Sequence, residues 1–358
     1  MEVLILADDF TGALDTASLF GYGTFVLVDR GFQVKARVIA VSSNSRLLQA
    51  EKAKQEVASI LSLFEKPRHL YKKVDSTMRG NVGAELEVVH KYTGEAIPFT
   101  PALPEQGRTV KEGHLFVWGV PLHETQYVDE LPVRSSNILE LLRVNSSTEI
   151  GFWKEGDSSI LVFRNVRDRS ELREYFESLV GEGYDSIMGG SAGLALELSS
   201  YIGFTAPDRP SPDGLILFVS GSRNPVTREQ LQEISRWVEV LELKVDSEIE
   251  TAVNLLKAGR DLAITVDLGD DGSRLLKELA RWIIESKQIG GLVIIGGETM
   301  RYLLEFLRVK AIEIGESPEV GISAGWMRGG PMDNTPLVSK AGGFGGKDSL
   351  VKIWRWFR

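Results

Sequence analysis

The chain has 358 residues, which at roughly 100–200 residues per domain implies two or three domains. Hydrophobic residues make up 43% and charged residues 25%, a globular balance that excludes a mostly disordered chain. The net charge of -9 argues against nucleic acid as the main partner, and the absence of cysteine excludes disulfides, thiolate metal sites and cysteine nucleophiles. Four histidines argue against a multi-histidine metal centre. No apolar run approaches the ~18 residues of a membrane span, so no membrane partner is expected. The N-terminus lacks the basic n-region of a signal peptide, and a soluble cytoplasmic protein is expected.

In chain order, Val3–Ala7 reads as a strand and Thr11–Phe20 as a helix. Strands at Thr24–Val28 and Arg37–Val41 follow, then a helix over Leu47–Phe64. His69–Val74 is a strand and Val82–Lys91 a helix, with strands at Ala96–Thr100 and Leu115–Trp118. Ser158–Phe163, Glu171–Val180, Ser186–Met188 and Ala192–Ser200 repeat the strand–helix order. Continuous apolar strands between amphipathic helices predict a mainly parallel sheet covered on both faces. The segment Gly203–Asp213 carries three prolines and reads as a linker. Beyond it the pattern restarts with a strand at Leu215–Val219 and a helix at Thr227–Val238, continuing through Asp261–Val266 and Leu292–Ile295. Ile312–Val338 resists assignment, and Lys347–Trp356 reads as a closing helix. The expected fold is two α/β domains with mainly parallel sheets, residues 1–207 and residues 213–358.

In parallel sheets ligands bind beyond the carboxyl ends of the strands, so residues directly after strands are the candidates. Asp8 and Asp9 follow the first strand, where adjacent carboxylates can bind polyol hydroxyls, hold Mg²⁺ or act as a base, while one of them caps the helix. The segment Lys72-Lys73-Val74-Asp75-Ser76-Thr77-Met78-Arg79-Gly80-Asn81 is the densest polar stretch, with Lys72 and Lys73 on opposite faces of a strand. Its Arg79 offers a planar fork for a carboxylate or phosphate. Pro101–Arg108 adds Glu105, Gln106 and Arg108 on a loop stiffened by two prolines. His123 beside Glu124 reads as an ordinary surface histidine.

The second half offers backbone instead. Ser220-Gly221-Ser222, Gly296-Gly297-Glu298-Thr299 and Gly342-Gly343-Phe344-Gly345-Gly346 are permissive segments, two of them at strand-to-helix junctions. Converging N–H groups and a helix N-terminus favour anions, so three such segments in one domain point to phosphate. No P-loop signature and no Gly-x-Gly-x-x-Gly after the first strand occur, which counts against a P-loop NTPase and a standard Rossmann dehydrogenase.

Asp8-Asp9-Phe10-Thr11-Gly12-Ala13, the Lys72–Asn81 segment and Pro101–Arg108 resemble the N-terminal motifs of the four-carbon acid sugar kinase family. Gly190-Ser191-Ala192-Gly193-Leu194, Val219–Ser222, Gly296–Thr299 and Lys340–Gly345 resemble its later motifs, in the family's order. Ser43-Asn44-Ser45-Arg46 departs from the Asp-Thr-x-Ser-Arg-like segment of that pattern, and the chain is short for the family. The resemblance implies an ATP-dependent kinase acting on a terminal hydroxyl of a tetronate or 3-oxo-tetronate. An N-terminal acid-sugar domain and a C-terminal nucleotide domain would form an active site in the cleft between them. Its implied partners are a small-molecule sugar acid, ATP and Mg²⁺, and a homodimer stays open. On this reading Asp8, Asp9, Lys73, Asp75, Ser76, Arg79 and Arg108 bind the sugar acid, with Arg79 on its carboxylate and a catalytic role among Asp8, Asp9 and Asp75. Ser220, Ser222, Gly296, Gly297, Glu298, Thr299, Gly342, Gly343, Phe344 and Gly345 contact ATP. A non-catalytic sugar-acid-binding protein and a nicotinamide-dependent dehydrogenase are the alternatives.

Overall fold

The structure is a computed structural model that describes residues 1–319 and 321–358, the side chain of Asp270 excepted. The chain forms two compact α/β units, Met1–Phe20 with Val34–Phe204, and Gly21–Gln33 with Thr205–Arg358. The predicted boundaries differ in one segment. Thr24–Leu27, placed by sequence order in the first domain, pairs antiparallel with Ala311–Glu319 and belongs to the second unit. A short apolar strand carries no mark of its partner, because pairing is decided by which sheet edge it can reach.

The first unit is built on a parallel sheet in the order Val38–Ser42, Val3–Ala7, His69–Lys73, Ile187–Gly190, Ile97–Thr100, Ile160–Val162, Ile150–Phe152. Its strands are buried on both faces, which is why they read as unbroken apolar runs. The helices Ala50–Leu61 and Val82–Thr93 pack on one another, as do Phe10–Ser18 and Ala192–Ile202. Gly83 permits a further close approach, of Val82–Thr93 to the short helix Ile138–Arg143, since a Cβ there would run into the backbone of Leu142. The strand predicted at Leu115–Trp118 lies apart from this sheet. It forms a small antiparallel meander, Arg108–Lys111, His114–Val117 and Val120–Pro121, that grows out of the Pro101–Arg108 loop.

Chain order and strand order diverge at the first strand. The chain passes from Val3–Ala7 to Val38–Ser42 on one side, then returns to His69–Lys73 on the other. This is the switch point at which loops part and leave a crevice. Ala7 pairs in register with both Ser42 and Lys73, so the loops starting at Asp8, Ser43 and Val74 leave the sheet side by side.

The second unit carries a mixed sheet, ordered Glu239–Leu243, Leu262–Val266, Leu215–Ser220, Ile289–Ile295, Pro336–Lys340, Ile322–Arg328, Ala311–Glu319, Thr24–Leu27. The first five are parallel and the last three antiparallel. The unassigned stretch Ile312–Val338 thus holds nearly all of Ala311–Glu319 and all of Ile322–Arg328, which pair antiparallel, and the start of Pro336–Lys340, and glycine, proline and half-exposed positions hide their apolar alternation. Its switch point lies between Leu215–Ser220 and Ile289–Ile295. There Ser220 pairs with Ile295, and Ile295 with Lys340, which aligns the three glycine-bearing loops. A core of Ile216, Phe218, Val293, Ile295 and Val338 packs against the helices Pro225–Ile234 and Ser349–Phe357.

Candidate active site

The carboxyl edge of the first unit's sheet holds an ionic cluster centred on Arg46, a residue the sequence reading left out of the site. Arg46 donates from Nε and Nη2 to the two oxygens of Asp8, at 2.9 and 3.0 Å. Its Nη1 lies 2.8 Å from Asp9, and Asp75 stands 3.9 Å away. The Asp8 side chain is only 3% exposed, so this ion pair is what makes a buried carboxylate tolerable. The sign available in the sequence was position: Arg46 follows a parallel strand adjacent to the first, at the same edge as Asp8.

Asp9 behaves differently. It caps the helix Phe10–Ser18, accepting from the Gly12 N–H at 2.8 Å, yet its side chain stays 29% exposed. Desolvation raises its pKa above the ordinary carboxylate value, Arg46 opposes this, and the Asp8 charge adds to it. Gly12 is required by close approach, since a Cβ would come within 2.5 Å of Asp9 Oδ1 and 3.0 Å of Lys73 Nζ.

Lys72 and Lys73 do alternate. Lys72 is buried and pairs with Glu85 of the helix Val82–Thr93 at 2.6 Å. Glu85 also accepts from Ser45 at 2.8 Å, and Ser45 contacts Ser43 at 2.6 Å, which braces the loop that carries Arg46. Lys73 faces the other way. Its ammonium donates to the Val74 carbonyl at 2.9 Å, and among the described residues no carboxylate lies within ion-pair distance of it.

The Asp75–Arg79 loop is internally tied. Asp75 accepts from Arg79 Nε and Nη2, both at 2.9 Å, and from the hydroxyl and N–H of Thr77. Burial alone would raise the Asp75 pKa, but the Arg79 bonds and the Arg46 charge hold it well below the carboxylate range. The remaining Arg79 nitrogen, Nη1, lies 3.0 Å from Glu130, and Tyr127 lies under the guanidinium. The fork expected to grip a ligand is therefore turned onto the protein's own carboxylates. Met78 sits at φ 61, a left-handed conformation that is strained for a side chain of this kind, in the loop that fixes Asp75. Ser76 is half-buried and its hydroxyl has no partner among the described residues. Arg108 lies on the meander and donates to the Gln106 carbonyl, with no bond to the cluster.

The second unit presents the glycine loops at one edge. The Thr299 hydroxyl is buried and accepts from the Gly221 N–H at 2.9 Å, so it braces the turn after Ser220. Gly296 adopts φ 103 before the helix Gly297–Phe306, a conformation that favours glycine. Gly297, Glu298, Gly343 and Gly345 are exposed, and Ser222, Gly342 and Phe344 half-buried. The Phe344 ring lies against Gly321, where a Cβ would strike it. Lys340, unnoticed as a site residue, ends its strand with the ammonium buried and donating to the Ala341 carbonyl at 2.9 Å. Burial pulls its pKa down to about 8, against a small opposing effect of Glu319.

Comparison with known proteins divides the chain similarly. A sugar-binding N-terminal domain model matches residues 3–194 and a nucleotide-binding C-terminal domain model residues 250–350. The first alone covers more than half of the chain. The chain belongs to the four-carbon acid sugar kinase family. Relatives in this family include a D-threonate kinase of Salmonella typhimurium, 26% identical over 98% of this chain and 97% of the relative. A D-threonate kinase of Bordetella bronchiseptica is 29% identical over 97% and 95%, and a D-erythronate kinase of Heliobacterium modesticaldum 24% over 97% and 95%. Crystal structures of a Salmonella typhimurium protein described as a tRNA synthase (TM-score 0.87, 20% identity, 100% of this chain and 99% of that one) and of a Haemophilus influenzae member of a family of unknown function (TM-score 0.82, 20% identity, 99% and 100%) share the fold. Among the described residues no helix is long and apolar enough to cross a membrane.

Proposed function

We propose that this family member is an ATP-dependent kinase that phosphorylates a terminal hydroxyl of a four-carbon acid sugar. The observation that carries the reading is the placement, beside the half-exposed carboxylate of Asp9, of an ammonium, Lys73, that forms no ion pair within 4.0 Å among the described residues. Lys73 at the N-terminus of the helix Phe10–Ser18 suits an anionic ligand, because backbone N–H groups and the lysine charge act together. The sugar carboxylate is assigned to Lys73 and this helix end, and hydroxyls to Asp9 and Ser76. Arg79 stays on Asp75, and the two hold the loop in place. This replaces the expectation that Arg79 itself grips the carboxylate.

Asp9 is the assigned base. Asp8 and Asp75 are each held by two guanidinium bonds, whereas Asp9 has a single guanidinium contact besides its cap bond, a side chain 29% exposed and a raised pKa. In the step itself the hydroxyl oxygen bonds to the γ-phosphorus. The bond from that phosphorus to the β–γ bridging oxygen breaks, ADP leaves, and the hydroxyl proton passes to Asp9. Ser222, Gly297, Gly342, Gly343 and Gly345 are the groups assigned to the phosphates, with Ser220, Gly296, Thr299 and Phe344 shaping the loops. Glu298 carries the wrong charge for a phosphate contact and suits a water-mediated contact to Mg²⁺. That ion would arrive on the triphosphate; it keeps most of its waters and needs few protein ligands. Among the described residues no group of three His, Asp or Glu side chains forms a metal site alone.

The test is ADP release from MgATP over threonates, erythronates, 3-oxo-tetronates and an uncharged four-carbon polyol. Release that depends on the acids and exceeds that with the polyol supports the assignment. Binding of the acids without ADP release would favour a non-catalytic binding protein.

A further inference from the structure

The glycine-rich loop Ala341–Gly346 is held from beneath by side chains that no substrate role accounts for. Thr227 and Gln230 lie on the helix Pro225–Ile234, and both are fully buried. The Thr227 hydroxyl donates to the Gly342 carbonyl at 2.7 Å and lies 3.1 Å from Ser222 Oγ, so it ties two candidate phosphate loops together. Gln230 Nε2 donates to the carbonyls of Phe344 and Gly346, at 2.9 and 2.8 Å. Lys340 donates to the carbonyls of Ala341 and Gly342, at 2.9 and 3.3 Å. Four carbonyls of a six-residue loop are thus drawn to one side. Among the described residues no acceptor takes the N–H groups of Gly342, Gly343, Gly345 or Gly346. Opposed peptide dipoles make this a division of labour: carbonyls fixed inward leave N–H groups free for an anion.

We propose that Thr227, Gln230 and Lys340 are positioning residues that set the Ala341–Gly346 loop as a cradle for nucleotide phosphate, with the buried Lys340 ammonium adding positive charge beneath it. The inference rests on the assignment of the second unit to ATP. None of the three side chains touches the nucleotide in this account; they act through the loop. A cradle fixed before binding costs less to order when the ligand arrives.

The test uses the whole chain and separates the donor from its shape. Thr227→Val is isosteric and removes only the hydroxyl, Thr227→Ser restores it, and Gln230→Met removes both bonds to the loop. Thr227→Val and Gln230→Met should each raise the KM for ATP and weaken MgADP binding in calorimetry by about tenfold or more, with the KM for the sugar acid within about twofold. Thr227→Ser should return both to near the parent value. Should Gln230→Met fail to fold, the two Thr227 variants decide the matter. Unchanged MgADP affinity in folded Thr227→Val overturns the inference while leaving the nucleotide assignment intact. A parent protein that binds no MgADP overturns both.

Discussion

Replacing Arg46 by methionine removes the guanidinium and keeps most of the aliphatic volume. Asp8, 3% exposed at its side chain, then loses both of its guanidinium bonds, and Asp9 loses the 2.8 Å contact. Breaking a buried pair by removing one partner costs roughly 3–5 kcal/mol, because an uncompensated charge stays buried. At about 2–4 °C per kcal/mol for a unit of this size, the melting temperature should fall by roughly 6–20 °C. The double variant Arg46→Met/Asp8→Asn should recover part of that loss, since the orphaned charge is gone. Arg46→Lys keeps a charge but not the fork, and should lose about 1.5–3 kcal/mol for a charged hydrogen bond. The assay is thermal unfolding of the four proteins together with kcat/KM for the best acid substrate. An Arg46→Met protein that melts within about 2 °C of the parent, less than ~1 kcal/mol, and keeps its activity would refute the placement of Arg46 at the centre of the cluster.

Other outcomes follow from the same geometry. Lys73→Met should lower kcat/KM for the acids by about 10–150-fold, the equivalent of one charged hydrogen bond, and leave an uncharged polyol nearly unaffected; equal losses on both would remove Lys73 as the carboxylate anchor. Asp9→Asn should lower kcat by about 10²–10⁴-fold, and in the parent the acidic limb of kcat/KM should lie above the ordinary aspartate value of 3.8, because the Asp9 pKa is raised; a limb below that value points to another base. The lowered Asp75 pKa gives a stability contribution that is full above pH 3.8 and is lost as the pH falls through the lower folded value, so Asp75→Asn should flatten the pH dependence of the melting temperature in that acid range. Gly343→Val should raise the KM for ATP well above any change in the KM for the acid, because a β-branched side chain crowds a loop whose would-be Cβ lies 3.1 Å from Asn224; parallel changes would place the phosphate elsewhere.

The parallel order of the first sheet was legible because its strands are buried on both faces and read as apolar runs. The Asp8–Asp9 and Lys72–Asn81 segments stood out because charge that follows such a run has to sit at a sheet edge. Arg46 escaped notice for the same physical reason that makes it central. Its partners lie 37 and 38 positions away in sequence, joined only by the register of Ala7 with Ser42. Arg79 shows the converse. Its planar fork was evident, but the sequence does not say whether a fork meets a ligand or the protein's own carboxylate, here Asp75 four residues back. Lys340, Thr227 and Gln230 were hidden because a polar residue within a strand or helix carries no sign of the backbone carbonyl it will meet. Thr24–Leu27 joined the other unit because a four-residue strand takes its partner from the fold as a whole.

One measurement tests the central claim most directly. The chain is incubated with MgATP and each four-carbon acid in turn, ADP is followed continuously, and the product is identified by mass and phosphorus resonance. The account predicts stoichiometric ADP and a phosphate monoester on a terminal hydroxyl for at least one acid, slowed about 10²–10⁴-fold by Asp9→Asn and about 10–150-fold by Lys73→Met at low substrate. Saturable binding of both ligands with no phosphate ester formed, or equal turnover of the uncharged polyol, would contradict it.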